Sequence, residues 1–406
     1  MKPTNLRLYA KRLVEGVNLQ KNQILWIYAS LDQPEFVRMV VKEAYAKGAK
    51  YVKVYWDDSE IDVLTYNSPN KKTIEYLKNI ENWEIEKKKQ QVIDKPAILH
   101  IVSDDPDMFK NILDTNKITE VRSARYKVLK EYIDKLDNEY QWCIGAVPGA
   151  AWAKKVFPNL NEEDAIESLW RAILKCSRIN EDWKKHSDTL KNNAKKLNDL
   201  GITELHYVGD NGTDLRVGMN TNANWLAGDE ITKGGVSFSP NIPTEEVFTT
   251  PVKGKAEGII YSSKPLSYKG NIIDKFCIEF KDGKAINGKA EVGEKILLEL
   301  INEDETAGYL GETAIVERNP ITTSGLLFYE TLYDENAACH LALGHGFTNT
   351  IKGYKNYTTE ELHEMGVNDS QIHVDFMVGY PGLKIYAKTQ DSNEEILIFE
   401  NEKIVL

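Results

Sequence analysis

The sequence predicts an α/β fold in two parts, an N-terminal helix-covered, mostly parallel sheet domain followed by a strand-rich α+β domain. Three observations carry this reading. A β-α-β unit opens the chain, short apolar runs then alternate with helical stretches as far as residue 180, and beyond Ile202 the pattern changes to short strands separated by Gly, Asn, Asp and Pro. A chain of 406 residues is long for a single core. The domains are therefore placed at residues 1–190, an α/β part, and 191–406, a strand-rich α+β part.

Taken in order, residues 1–20 read as an amphipathic helix with Leu6, Tyr9, Ala10, Leu13, Val14 and Val17 along one side. Its interspersed charges are wrong for a secretory leader. Ile24–Ser30 is a short apolar run and hence a buried strand; Pro34 opens a helix that Gly48 ends, and residues 51–55 form the next strand. Ala97–Val102 and Trp142–Ala146 continue the parallel sheet. Residues 162–175 and 180–199 are helical, with Gly201 as the stop. Strands are then expected at 204–208, 215–217, 256–262, 276–280, 372–378, 383–388 and 395–400.

Composition removes several function classes. The formal net charge of −11 repels phosphate backbones and anionic membrane surfaces, so neither nucleic acid nor membrane is an expected partner. No apolar run approaches the 18 residues of a membrane span. The four cysteines, Cys143, Cys176, Cys277 and Cys339, are far apart and lack C-x-x-C spacing, which fits free thiols in the reducing cytoplasm. The turn after the first strand, Ser30-Leu-Asp-Gln-Pro34, has no glycine and one acid, making a poor pyrophosphate cradle. The first sheet reads as scaffold. G-x-S-x-G and H-E-x-x-H are both missing, so nucleophilic catalysis by the protein is the weaker idea.

Five metal-ligand types are instead spaced through the second half: Glu246, Glu312, His340, His373 and Asp375. Carboxylate with imidazole favours zinc, cobalt, manganese or iron(II) over calcium, and five groups suffice for two adjacent ions and metal-assisted hydrolysis. His373 and Asp375 lie two apart in an apolar run, so a strand turns both to one face; alone, such a pair is more often a buried structural contact. Residues 336–344, Asn-Ala-Ala-Cys-His-Leu-Ala-Leu-Gly, read as a helical turn of small residues bearing His340, with His345 beyond the glycine stop and pointing elsewhere. Glu312 begins a strand, at whose edge a glutamate is ordinarily exposed. Glu246 sits in a loop held at both ends by Pro243 and Pro251, a rigid setting that suits a preorganised ligand.

Residues 243–251, 311–316, 336–344 and 372–376, with Asn211-Gly-Thr-Asp-Leu-Arg-Val217 and the 234–251 stretch, resemble the thermophilic-aminopeptidase family that includes aminopeptidases T and S. The resemblance covers most of the second domain. It implies a metalloaminopeptidase that removes N-terminal residues from peptides, with Glu246, Glu312, His340, His373 and Asp375 holding two divalent ions (zinc, cobalt, manganese or magnesium). It further implies a homodimer as the assembly, and Glu312, a carboxylate close to the metals, is chosen as the group that shuttles the proton from the nucleophile to the leaving amine. Glu246, rather than Glu245, takes the place before Val-Phe-Thr. The family's tyrosine seven residues after the first histidine is here Phe347, and Tyr354 and Tyr357 are the nearby hydroxyls. Two alternatives stay open at this point: a non-catalytic peptide- or metal-binding protein of the same fold, and another two-metal hydrolase such as an amidase or phosphoesterase.

Overall fold

The computed structural model describes residues 2–103 and 105–406. The chain divides into two compact units. One runs as far as Asn180 and takes in Asp229–Pro243; the other comprises Glu181–Gly228 and Thr244–Leu406.

In the first unit, α1 (Pro3–Gly16) precedes β1 (Ile24–Ser30), α2 (Pro34–Lys47) and β2 (Tyr51–Asp57). β3 (Ala97–Val102) and β4 (Trp142–Ala146) complete a sheet in the order β2-β1-β3-β4, with every pairing parallel. Helical crossovers make that arrangement natural. Pro34 supplies a preset φ at the start of α2, and Gly48 takes the left-handed conformation at its end. Tyr9 of α1 stacks on Phe36 of α2 at 5.3 Å, and Phe36 lies 5.4 Å from Trp170 of α3 (Glu162–Cys176), so aromatic packing ties three helices together. Asp229–Pro243 belongs here because Ile144 donates to the Pro240 carbonyl and receives the Ile242 N–H, which lays that segment beside β4.

The second unit begins with α4 (Trp183–Asp199), whose first turn is capped by Asp182. Two antiparallel sheets follow. A nine-stranded sheet includes Ile202–Val208, Asp214–Met219, Pro251–Tyr261 and Lys384–Thr389. A smaller sheet consists of β5 (Leu226–Ala227), β6 (Glu246–Thr249), β7 (Leu310–Val316), β8 (His340–Gly344) and β9 (His373–Met377), in the order β9-β8-β7-β6-β5. Leu205, Tyr207, Phe276 and Ile385 from the larger sheet share a core with Val247, Ile315, Leu341 and Phe376 from the smaller one, joined by Leu190 and Leu197 of α4. The expected α/β class and strand-rich second half are both present.

Three local expectations are corrected. Glu246 is not in a loop: it opens the buried strand β6, where it pairs with Val316 of β7. Residues 336–344 are not helical: a short 3-10 turn, Glu335–Ala337, gives way to strand β8. Gly344, read as a helix stop, ends a strand instead with φ +100°, and a Cβ there would meet the Ile372 carbonyl oxygen at 2.1 Å. Glu312 is not at a sheet edge either. β7 lies between β6 and β8 with all seven residues buried, Glu312 itself 3% exposed.

Candidate metal centre

In an antiparallel sheet, directly opposed residues share a face, and so do residues two apart along a strand. β6 and β7 pair Glu246 with Val316 and Phe248 with Ala314; β7 and β8 pair Glu312 with Ala342 and Ala314 with His340; β8 and β9 pair Ala342 with Asp375 and Gly344 with His373. Followed across the sheet, this register puts Glu246, Glu312, His340, His373 and Asp375 on one face. Ala314, Ala342 and Gly344 occupy the positions among them and leave the space clear. The opposite face carries Val247, Ile315, Leu341, Leu343 and Phe376, all in the core.

The five side chains converge. His340 Nε2 lies 3.2 Å from Glu246, 3.8 Å from Glu312 and 4.0 Å from Asp375. His373 Nε2 lies 3.1 Å from Glu312 and 3.3 Å from Asp375. Two trios, Glu246–Glu312–His340 and Glu312–His373–Asp375, each bring one ligand atom per residue within 4.8 Å of the others, and Glu312 belongs to both.

Each histidine is oriented by its other nitrogen. His340 Nδ1 is 3.2 Å from the Ala338 carbonyl and His373 Nδ1 is 2.7 Å from the His345 carbonyl. A carbonyl only accepts, so both Nδ1 atoms carry hydrogens, and Nε2 is left to face the carboxylates. In a neutral ring Nε2 presents a lone pair, which carboxylate oxygens repel. A cation must therefore stand between them, either a proton or a metal. Burial opposes a charged ring at His340, but hydrogen bonds to Glu246 and Glu312 raise it well above the ordinary imidazole range. At His373 burial again opposes charge, and Asp375 and Glu312 reverse it. Burial pushes the Glu246 carboxyl up, with Glu312 and Asp375 adding to the rise against His340. Burial also pushes Asp375 upward, but the positive His373 ring outweighs it and holds the group below its usual value.

One site residue has no counterpart in the sequence reading. Glu335, partly buried in the 3-10 turn ahead of β8, hydrogen-bonds Asp375, and its carboxyl is raised well above normal by burial and then by Asp375 and Glu246. Asn336 fixes it in place. That fully buried amide accepts the Glu245 N–H, donates to the Leu332 carbonyl, and lies 3.2 Å from Glu335, which joins the Glu335 turn to the start of β6. Glu245 itself is buried with its carboxylate 3.8 Å from His186, whereas Glu246 faces the cluster.

The residues fit a divalent cation. Four carboxyl groups and two imidazoles meet there, and the Glu246 and Glu335 carboxyls are held above their usual values by burial and by their acidic neighbours, a crowding of acids that a divalent cation would relieve. Asp375 Oδ1 is buried without a hydrogen-bond partner, as an atom reserved for a metal bond would be. Phe347 edges the centre, its ring 4.9 Å from that of His373 and 5.2 Å from Phe248.

The model of the M29 thermophilic metalloprotease family matches residues 2–403. This chain belongs to the M29 family. Its relatives include aminopeptidase AmpS of Bacillus subtilis, 40% identical over 404 residues and covering 98% of this chain and 97% of that protein. Aminopeptidase T of Thermus thermophilus is 32% identical, with 96% of each chain covered. The solved structure of wild-type AmpT from Thermus thermophilus superposes with a TM-score of 0.89 at 31% identity over 99% of each chain. Membership in a metalloprotease family makes a divalent metal part of the working M29 protein.

Proposed function

We propose that this chain is a two-metal aminopeptidase in which Glu246, Glu312, His340, His373 and Asp375 hold the ions. The observation that carries the reading is the convergence of these five side chains on one sheet face, with both histidines locked through Nδ1. Glu312 is common to both trios, and Glu335 adds a fourth acidic group at the same centre. The relatives named aminopeptidases support the substrate class, peptides with a free N-terminus.

When bound, the ions polarise the scissile carbonyl and lower the pKa of a bound water towards neutrality. The residues supply the rest. Glu312 takes the proton of the attacking water and passes it to the leaving amine, as a carboxylate within reach of both can. An acidic side chain at the centre, such as Glu335, would hold the substrate's α-ammonium group and so select the chain end over internal bonds. The apolar face behind β6–β9 keeps the ligands rigid. Phosphoester chemistry is disfavoured because Arg318, the arginine near the motifs, is paired to Glu402 at 2.8 Å. Zinc, cobalt, manganese and magnesium all suit the donor set. Among the described residues no helix is long and apolar enough to cross a membrane. The four buried cysteines, none of them in a disulfide, support a cytoplasmic location, and the family resemblance supports a homodimer.

The deciding experiment strips the protein with a chelator and returns zinc, cobalt, manganese or magnesium singly. Expected is loss of aminoacyl-anilide cleavage, restored by at least one ion and abolished by acetylating the substrate's amine. Metal uptake without any cleavage would sink the enzymatic reading.

Metal uptake is also expected to release protons. His340 and His373 hold theirs well above the ordinary range in the metal-free protein, so lowering the pH keeps both rings charged and weakens binding, whereas raising it strengthens binding. Calorimetry in two buffers of different ionisation heat is expected to report about two protons released per chain near neutrality. No release, with pH-independent affinity, would mean the imidazoles are not ligands.

A further inference from the structure

β9 closes one end of the smaller sheet, so only one of its sides faces another strand. Which of its backbone groups that strand uses follows from the register. The pairs at the two ends of the ladder are hydrogen-bonded: His345 N–H donates to the Ile372 carbonyl at 2.7 Å, and Val378 N–H donates to the Cys339 carbonyl at 2.8 Å. Hydrogen-bonded and non-hydrogen-bonded pairs alternate along an antiparallel ladder. Val374 and Phe376 therefore bond to β8, opposite Leu343 and Leu341, while His373, Asp375 and Met377 turn their N–H and C=O groups to the open side.

That open side is taken up at one end. Ser263, two residues beyond the strand Pro251–Tyr261, donates its N–H to the Met377 carbonyl at 2.8 Å, in keeping with the direction the register gives that carbonyl. Among the described residues none pairs with the outward N–H and C=O groups of His373 and Asp375. Folded proteins usually cover or shorten such an edge, and the opposite end of this sheet does so, β5 being two residues long. Here the bare groups belong to the two residues whose side chains join Glu312 in one of the ligand trios. A chain laid along them lies directly beside the metal centre. The two residues are also spaced as an extended partner requires, about 6.8 Å for every second residue of a strand.

We propose that the outward edge of β9 is the track along which the peptide substrate binds, its residues beyond the scissile bond lying as an added strand hydrogen-bonded to the backbones of His373 and Asp375. This rests on the aminopeptidase reading and adds to it how the remainder of the peptide is held. The occupant is an extended peptide because the edge offers N–H and C=O together at every second residue, the complement that another strand supplies. Main-chain pairing is indifferent to side chains, so the track recognises peptides as a class. A strand presents the amides of alternate residues to its neighbour, so of two successive substrate amides one is used and the other is not. His373 and Asp375 then each act twice, through the side chain at the metal centre and through the main chain on the peptide.

The test has two arms. In the first, kcat/KM is measured on pentapeptides N-methylated singly at the third or the fourth residue, the scissile amide being left intact. Methylation at one of these positions is expected to lower kcat/KM about tenfold or more, as when a hydrogen bond is lost and its partner is left unpaired, and at the other to leave it nearly unchanged. Equal losses at both positions, or none at either, would overturn the proposal. In the second arm, amide hydrogen exchange is followed in the metal-loaded protein with and without a peptide whose scissile amide is replaced by a CH2–NH link. The His373 and Asp375 N–H groups are expected to slow about tenfold or more on binding, while Val374, already in the β8 ladder, keeps its rate. Unchanged exchange at both under saturating peptide, or slow exchange at both before peptide is added, overturns it too. An enzyme that cleaved no peptide at all would sink the aminopeptidase reading instead, and the exchange arm would still decide whether the edge holds a peptide.

Discussion

Glu312→Gln is expected to leave the fold and most of the metal in place while lowering kcat/KM by about 10³-fold or more. The argument starts from position. Glu312 lies in the middle of a fully buried strand, belongs to both ligand trios, and receives a contact from each histidine. Glutamine has nearly the same shape, so β7 keeps its packing. What goes is the charge and the ability to accept a proton, and one side of the new amide offers N–H where a ligand lone pair is needed. Initial rates on an aminoacyl-anilide, read together with metal content, separate the two roles. A slow variant that keeps its metal marks Glu312 as the proton carrier; a slow variant restored by excess metal marks a ligand only. A rate within tenfold of wild type would remove Glu312 from the chemistry.

Phe347→Tyr is expected to raise kcat by about 10²-fold, since one well-aimed donor to the developing oxyanion is typically worth that much. The ring already packs against His373 and Phe248. Its backbone is fixed in both directions by Thr250, whose hydroxyl accepts the Phe347 N–H at 2.9 Å and lies 3.2 Å from the Phe347 carbonyl. A tyrosine is thus expected to keep the same ring position and add a hydroxyl beyond it. The gain should fall on kcat with little change in KM, because the oxyanion exists only in the transition state. An unchanged or lower kcat would show that this chain reaches its turnover without that hydroxyl. Tyr354 does not stand in simply by proximity in sequence, as it packs on the small cluster of Ile351, Leu362 and Val367.

Much of this architecture was legible in the residues, and the failures have definite causes. Ile24–Ser30, Ala97–Val102 and Trp142–Ala146 were readable as strands because each is a short apolar run bounded by breakers and buried on both faces of a parallel sheet. Residues 336–344 misled because Ala, Leu and Cys lack the β-branched signature of a strand, and Gly344 imitates a helix stop. In fact the alanines are small, and the side chains of Glu312, His340 and Asp375 meet above them. Glu312 looked exposed because a local reading cannot see β6 and β8 closing on either side of it. Glu335 carried no spacing signal. Its role depends on the 3-10 turn that precedes β8 and on the Asn336 amide, neither of which a periodicity describes. The return of Asp229–Pro243 to the first unit depends on pairing with β4 more than 80 residues away in sequence, which no local pattern records.

The single-face register of β6–β9 also governs how the protein is assembled. Apart from His373 and Asp375, no two of the five proposed ligands are neighbours in sequence, and the set spans Glu246 to Asp375. An unfolded chain therefore offers an ion little more than one bidentate grip, while the folded sheet offers it everything at once. Metal and native structure are then linked by mass action, each tenfold rise in free ion above the dissociation constant adding about 1.4 kcal/mol per bound ion to the folded state. Cellular metal supply becomes a determinant of this protein's lifetime as well as of its rate.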